Sequence, residues 1–146
     1  MATRVLPGTD LRVRRGGRRD APRVRALLGP GALAERECRR LLASLATDVY
    51  VAEDAGGRVV GLVALAYARS LVRGGWAAVL DGVRTAGEAG GVLDGLVAFA
   101  EERARRRGCR RLTAWVAPED GALRAALLAR GYRPGELLAT ELGEGA

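Results

Sequence analysis

The residues able to do chemistry are few, and the missing types narrow the field first. All 24 basic residues are Arg; Lys and His are absent, and so are Asn, Gln and Ile. That excludes a His general base, a His-ligated metal, a Lys Schiff base and the Lys of a Walker-type phosphate loop. Cys38 and Cys109 lie far apart, each beside an Arg, with no CxxC and no His to complete a dyad; they read as two reduced thiols. Asp81 is different, because it is the sole carboxylate on the otherwise apolar run Trp76 to Val83. A carboxylate stripped of water on a buried strand becomes a stronger proton acceptor, which makes Asp81 a candidate general base. The alternative is a strand-end Asp bonded to backbone. A second feature is the glycine-containing turn Ala86 to Gly91. A helix N-terminus entered through small residues offers free N–H groups and a positive dipole end to a phosphate. Neither GxGxxG nor GxxxxGK[ST] occurs, which argues against a dinucleotide-binding or Walker loop.

The elements that must position these groups fit one domain, 146 residues with 49% apolar content. The formal charge is +7. The absent residue types are those scarce in G- and C-rich codons, so the Arg excess is discounted as a sign of function. Arg-rich surfaces attract phosphate without regard to sequence, but aromatics make up 4% of the chain and lie apart. The interleaving of base-stacking aromatics with cations is missing, which argues against a nucleic-acid partner. The run Arg103 to Arg111 fits a solvated helix end, where cations complement the dipole. No leader-like segment and no stretch of 18 uncharged apolar residues occurs, so the expectation is a cytoplasmic protein with no membrane partner.

Leu11 to Arg14 alternates as a short strand, and Asp20-Ala21-Pro22 opens a helix carrying Val24, Leu27 and Leu28 on one stripe. A second helix is expected over Ala32 to Ala46. Val49 to Ala52 and Val59 to Leu65 flank Glu53 to Arg58 as a hairpin, and the continuous apolar run of its second strand implies a sheet covered on both faces. A loop, Arg69 to Gly75, precedes the strand Trp76 to Val83. A long helix then ends in Glu101 to Gly108, acidic residues early and basic ones late. Arg111 to Val116 reads as a strand, Pro118-Glu119-Asp120 opens a helix closed by Gly131, and Glu136 to Leu142 reads as a last strand. The order β-α-α-β-β-β-α-β-α-β predicts a single α/β domain over 1–146 with a mixed central sheet flanked by helices.

That order resembles the GCN5-related N-acetyltransferase family. Val49 to Gly61 is similar to the family's second and third strands with their tight turn, and Ala104 to Leu112 to its helix-to-strand passage. Asp120, Leu123, Leu127 and Gly131-Tyr132 are similar to its last helix, with the Gly-aromatic pair that ends it. The resemblance covers nearly the whole chain. It implies transfer of acetyl from acetyl-CoA to a primary amine of a small molecule or peptide, with no metal. It places cofactor-binding backbone at Val83 and Thr85, where N–H groups polarise the thioester carbonyl. It puts the pyrophosphate loop at Glu88, Ala89, Gly90, Gly91, Val92 and Leu93, or two residues earlier at Ala86 to Gly91.

The sequence departs from the family pattern at several points. Glu88 stands where Arg or Gln is usual, Leu93 is bulky where the backbone must come close, Asp120 replaces a frequent Asn, and Leu127 replaces a Tyr that protonates the leaving thiolate. A thiolate near pKa 8.5 leaves with little help. Tyr67 either lines the acceptor pocket or ends a strand; Arg124 and Arg130 either hold phosphates or are exposed helix charge. The resemblance also implies a homodimer through C-terminal strands. The alternative to an enzyme is a fold-retaining, catalytically impaired binding or regulatory module, motivated by Glu88, Leu93 and Leu127.

Overall fold

Two-residue alternation and helical stripes together build one layered domain. The structure is a computed structural model and describes residues 4–87 and 91–143. In chain order the strands and helices are β1 (Arg4–Val5), β2 (Arg12–Arg15), α1 (Ala21–Leu28), α2 (Glu35–Ala43), β3 (Thr47–Glu53), β4 (Val59–Arg69), β5 (Trp76–Thr85), α3 (Val92–Arg106), β6 (Cys109–Ala114) and α4 (Gly121–Ala129), with a 3-10 turn at Arg18–Asp20. The six strands form one sheet in sequence order. Every pairing is antiparallel except that of β5 with β6, which is parallel and is bridged by α3. The sheet is therefore mixed, as expected from hairpins followed by a crossover.

β3 and β4 are buried on both sides. On β3, Tyr50 and Ala52 join Val63, Leu65, Leu80, Leu96 and Phe99 under α3, while Val51 joins Val24, Leu42 and Leu62 under α1 and α2. Tyr50 meets Phe99 edge-on, with ring centroids 4.8 Å apart. α3 gives the larger core more buried residues than any other element. Its Gly95 marks the closest approach: a Cβ there would lie 2.6 Å from the Pro7 carbonyl oxygen and 2.9 Å from Leu6 Cγ. Gly95 is thus what lets the β1–β2 hairpin seat its buried Leu6 on the helix. Alanine would raise helix propensity by about 1 kcal/mol, yet the Cβ must displace backbone. Gly95→Ala is expected to destabilise the fold by about 1–3 kcal/mol, read as a lower denaturant midpoint.

Several expectations need correction. No strand forms over Glu136–Leu142; the described residues beyond α4 have no regular structure. Adjacent Leu137 and Leu138 point to opposite sides of any strand, so no single apolar face is offered for burial. The Arg111 to Val116 strand is instead Cys109–Ala114, the second helix is shorter than Ala32 to Ala46, and β1 is an unexpected addition. Asp20 starts α1 but does not cap it with its side chain. Its carboxylate turns back to accept from Arg14 Nη1 and Nη2 at 2.8 and 2.7 Å and from the Gly17 N–H at 2.8 Å. The Arg14 guanidinium holds that carboxyl below its usual range despite burial. Among the described residues no helix is long and apolar enough to cross a membrane.

Candidate active site

The sheet opens where β5 acquires one residue too many. Ala64 pairs with Gly82 and Leu65 with Leu80, so Asp81 is an extra residue facing no partner on β4. This is a β-bulge, and it breaks the alternation: Leu80 and Val83 both reach the core under α3, while Asp81 and Gly82 line the outside. β6 follows β5 only as far as Leu80, paired with Ala114. A last bond, Trp115 N–H to the Leu80 carbonyl at 3.1 Å, closes the ladder. Beyond it the chain leaves toward α4, so Asp81–Thr85 has a strand neighbour on the β4 side alone. Alternate peptide groups of this stretch turn into the gap with no ladder partner.

A cleft of about 1220 Å³ begins at this gap and continues past β6 and α4. Asp81, Gly82 and Arg84 line it from β5, Trp115 from beyond β6, and Asp120, Arg124 and Leu127 from α4 and its cap. Arg84 reaches across the opening, donating from Nη1 to the Val83 carbonyl at 3.0 Å and lying 3.7 Å from an Asp120 oxygen. Asp120 caps α4 as expected, accepting from the Leu123 N–H at 3.2 Å. Val83 itself is buried, and Thr85 donates to the Gly87 carbonyl at 3.2 Å.

At the head of α3, Gly91 takes φ +90°, a conformation that favours glycine, and Val92 is buried. Leu93 packs against the core rather than toward the helix end, so its bulk does not block an approach there. Asp94 does face solvent in this first turn. Glu88, Ala89 and Gly90 lie outside the described residues. Asp81 is exposed, not enclosed in apolar surroundings; the burial that was expected to make it a strong proton acceptor is absent, while its position facing the cleft is retained.

Other candidates are engaged elsewhere or lie away from the cleft. Arg130 is held by Glu101, which also accepts from the Tyr132 hydroxyl at 2.9 Å, so it ties α4 to α3 rather than standing ready for phosphate. Tyr67 neither ends β4 nor lines the cleft; its hydroxyl donates to Asp48 at 2.6 Å. Arg103 also leaves the expected solvated face, donating from Nε to the same Asp48 oxygen at 3.0 Å. Cys38 and Cys109 are free, and burial pushes both thiols up, away from the reactive thiolate. Among the described residues no group of three or more His, Cys, Asp or Glu could hold a metal. Sequence reasoning missed Arg84 as a bridge to Asp120, and Trp115 at the fork; both depend on which strand pair separates.

No protein-family model matches the chain, and no curated protein matches it. Solved structures do. A ribosomal-protein-alanine N-acetyltransferase from Brucella melitensis biovar Abortus 2308 superposes with a TM-score of 0.75 at 18% identity, covering 92% of this chain and 99% of its own. The chain has the GCN5-related N-acetyltransferase fold. An aminoglycoside 6'-N-acetyltransferase in complex with a CoA-containing bisubstrate analogue gives a TM-score of 0.76 at 17% identity, covering 94% and 100% of the two chains. A transcriptional regulator from Bacillus halodurans C-125 gives 0.74 at 21%, covering 90% and 99%. At such identities the acetyltransferase fold is what the likeness establishes, and these neighbours carry differently named functions on it.

Proposed function

We propose that this protein is an N-acetyltransferase moving acetyl from acetyl-CoA to a primary amine by direct attack, with both substrates bound together. The observation that carries the reading is the unpartnered β5 edge, Asp81–Thr85, opening beyond a bulge into a large cleft. Unpaired peptide groups on a rigid strand suit the amides of a pantetheine chain, and the opposite wall adds Arg124, whose charge suits phosphate. Acetyl-CoA supplies an acetyl group already activated as a thioester. Peptide N–H groups around Val83 stabilise negative charge developing on the carbonyl oxygen, a role that needs no particular side chain. Asp81 attracts the acceptor's ammonium from the open side of the cleft. Once that ammonium has given one proton to water, the neutral nitrogen bonds to the carbonyl carbon, Asp81 takes up its second proton, and the C–S bond breaks with CoA leaving as the thiolate. No side chain need protonate the departing thiolate: Leu127, buried among the core residues, donates nothing. The test is release of free thiol from acetyl-CoA dependent on an added amine.

Asp120 gives a direct prediction. It places a carboxylate beside a site proposed to receive an anionic ligand, yet its helix-capping bond needs only an oxygen. Asp120→Asn should keep the fold and raise acetyl-CoA affinity by about three- to tenfold by calorimetry, with the gain shrinking as salt is added.

The second reading is a binding or regulatory module that has lost catalysis. Buried Leu127 and the carboxylates of Asp94 and Asp120 near the proposed cofactor path favour it. Acetyl-CoA binding without thiol release across a broad amine panel would select it.

A further inference from the structure

The cleft that holds Asp81 is unevenly charged. Its walls carry six arginines, Arg73, Arg84, Arg111, Arg124, Arg130 and Arg133, against three carboxylates, Asp81, Asp120 and Glu136. Arg84 faces Asp120 and Arg130 is tied to Glu101. Among the described residues, no carboxylate forms an ion pair with Arg73 or Arg111. Both therefore hold uncompensated charge in the same cleft as an exposed Asp.

The place of Arg111 on the sheet separates it from any site for the cofactor's phosphates. Arg111 pairs with Ala77, eight residues before Thr85 and so roughly 26 Å along the strand from the end nearest α3. Asp81 stands between, roughly 13 Å from the Ala77 row. Arg73 lies in the turn between β4 and β5, whose backbone is held by hydrogen bonds. Its N–H donates to Ser70 Oγ at 3.0 Å, and Ser70 closes the turn with Gly74 and Gly75 at 2.8 and 3.2 Å. An arginine side chain extended from this row toward Asp81 would leave a gap of several bonds to its carboxylate.

We propose that the acceptor is a primary amine that also carries an anionic group, carboxylate or phosphate, several bonds away. Arg111 and Arg73 receive the anion, and Asp81 receives the amine. The inference rests on the acetyl-transfer reading and adds the acceptor's charge to it. A polycationic amine would meet repulsion from the same arginines.

The experiment uses three acceptors of one chain length: 6-aminohexanoate, hexylamine and 1,6-diaminohexane. Thiol release from acetyl-CoA is followed with the full chain and with Arg111→Ala and Arg111→Glu, while calorimetry checks acetyl-CoA binding in each. The aminocarboxylate is expected to exceed the diamine in kcat/KM by about tenfold or more. Arg111→Ala should remove most of that margin through KM, and Arg111→Glu should invert it. Arg111 is exposed on an outer strand, so these variants should fold, which an unchanged Tm verifies. Equal or reversed preference in the unsubstituted protein overturns the inference, as does a preference indifferent to Arg111→Glu. So does failure of all three amines while acetyl-CoA binds. Absence of acetyl-CoA binding instead removes the acetyl-transfer reading itself.

Discussion

Asp48→Ala is expected to cost about 3 kcal/mol of folding stability, read by chemical denaturation, and a loss under 1 kcal/mol would contradict the account. Asp48 is 1% exposed, at the start of β3 under α3. One carboxylate oxygen accepts from the Tyr67 hydroxyl and Arg103 Nε; the other lies 2.8 Å from Arg15 Nη1. Both guanidinium groups also sit over the Tyr50 ring, 5.9 and 5.8 Å from its centroid. Removing the carboxylate leaves two cations and a phenol against an aromatic core with no counter-charge. The figure is taken at the low end of the range for broken buried pairs because both arginines keep some water. Burial alone would push the Asp48 carboxyl up, but the bonds from Tyr67 and Arg103 and the Arg15 charge outweigh it and hold the group below its usual range. With the folded value below the unfolded one, near ~3.9, this stabilisation is complete above about pH 5 and is lost as pH falls through the folded value. The gap between the native protein and Asp48→Ala should therefore narrow below about pH 4.

Asp81→Asn should lower kcat/KM for an amine acceptor by about 100-fold, while acetyl-CoA affinity and Tm stay as they were. The side chain is exposed, and among the described residues it makes no hydrogen bond to protein that the substitution could break. Its placement by the bulge aims it at the cleft. An amide keeps the shape but neither draws an ammonium by charge nor accepts its proton. A fall of less than threefold would remove Asp81 from the chemistry and leave the bulge as its sole contribution.

What was legible in the sequence was local. The β3–β4 hairpin announced itself by two apolar runs around Glu53 to Arg58, α3 by its acid-to-base gradient ending at Gly108, and α4 by Asp120 and Gly131. Each signal needs only near neighbours in the chain. The bulge was not legible, because an extra residue exists only relative to the register of a partner strand, and Asp81 looked buried when its strand was read alone. The Asp48 cluster was hidden for a related reason: it joins positions 15, 48, 67 and 103, and no spacing links them. The arginine run illustrates both limits. Most of it is the exposed helix end expected from the dipole, while Arg103, one turn earlier, is drawn into the core by a carboxylate 55 residues away in sequence. At the C-terminus the leucines of Glu136–Leu142 suggested a strand, but a strand is made by its partner, and none pairs there.

The central claim is that the gap beside Asp81–Thr85 binds acetyl-CoA. Gly82 lines that gap, and a Cβ built on it meets nothing within 4 Å. Gly82→Phe should therefore fold normally and fill the opening. The decisive measurement is a calorimetric titration of the native protein and Gly82→Phe with acetyl-CoA. The account predicts one site in the native protein with Kd of order 100 μM or tighter, and no detectable binding in a Gly82→Phe variant of unchanged Tm. Equal binding by both, or none by the native protein at millimolar acetyl-CoA, would contradict it.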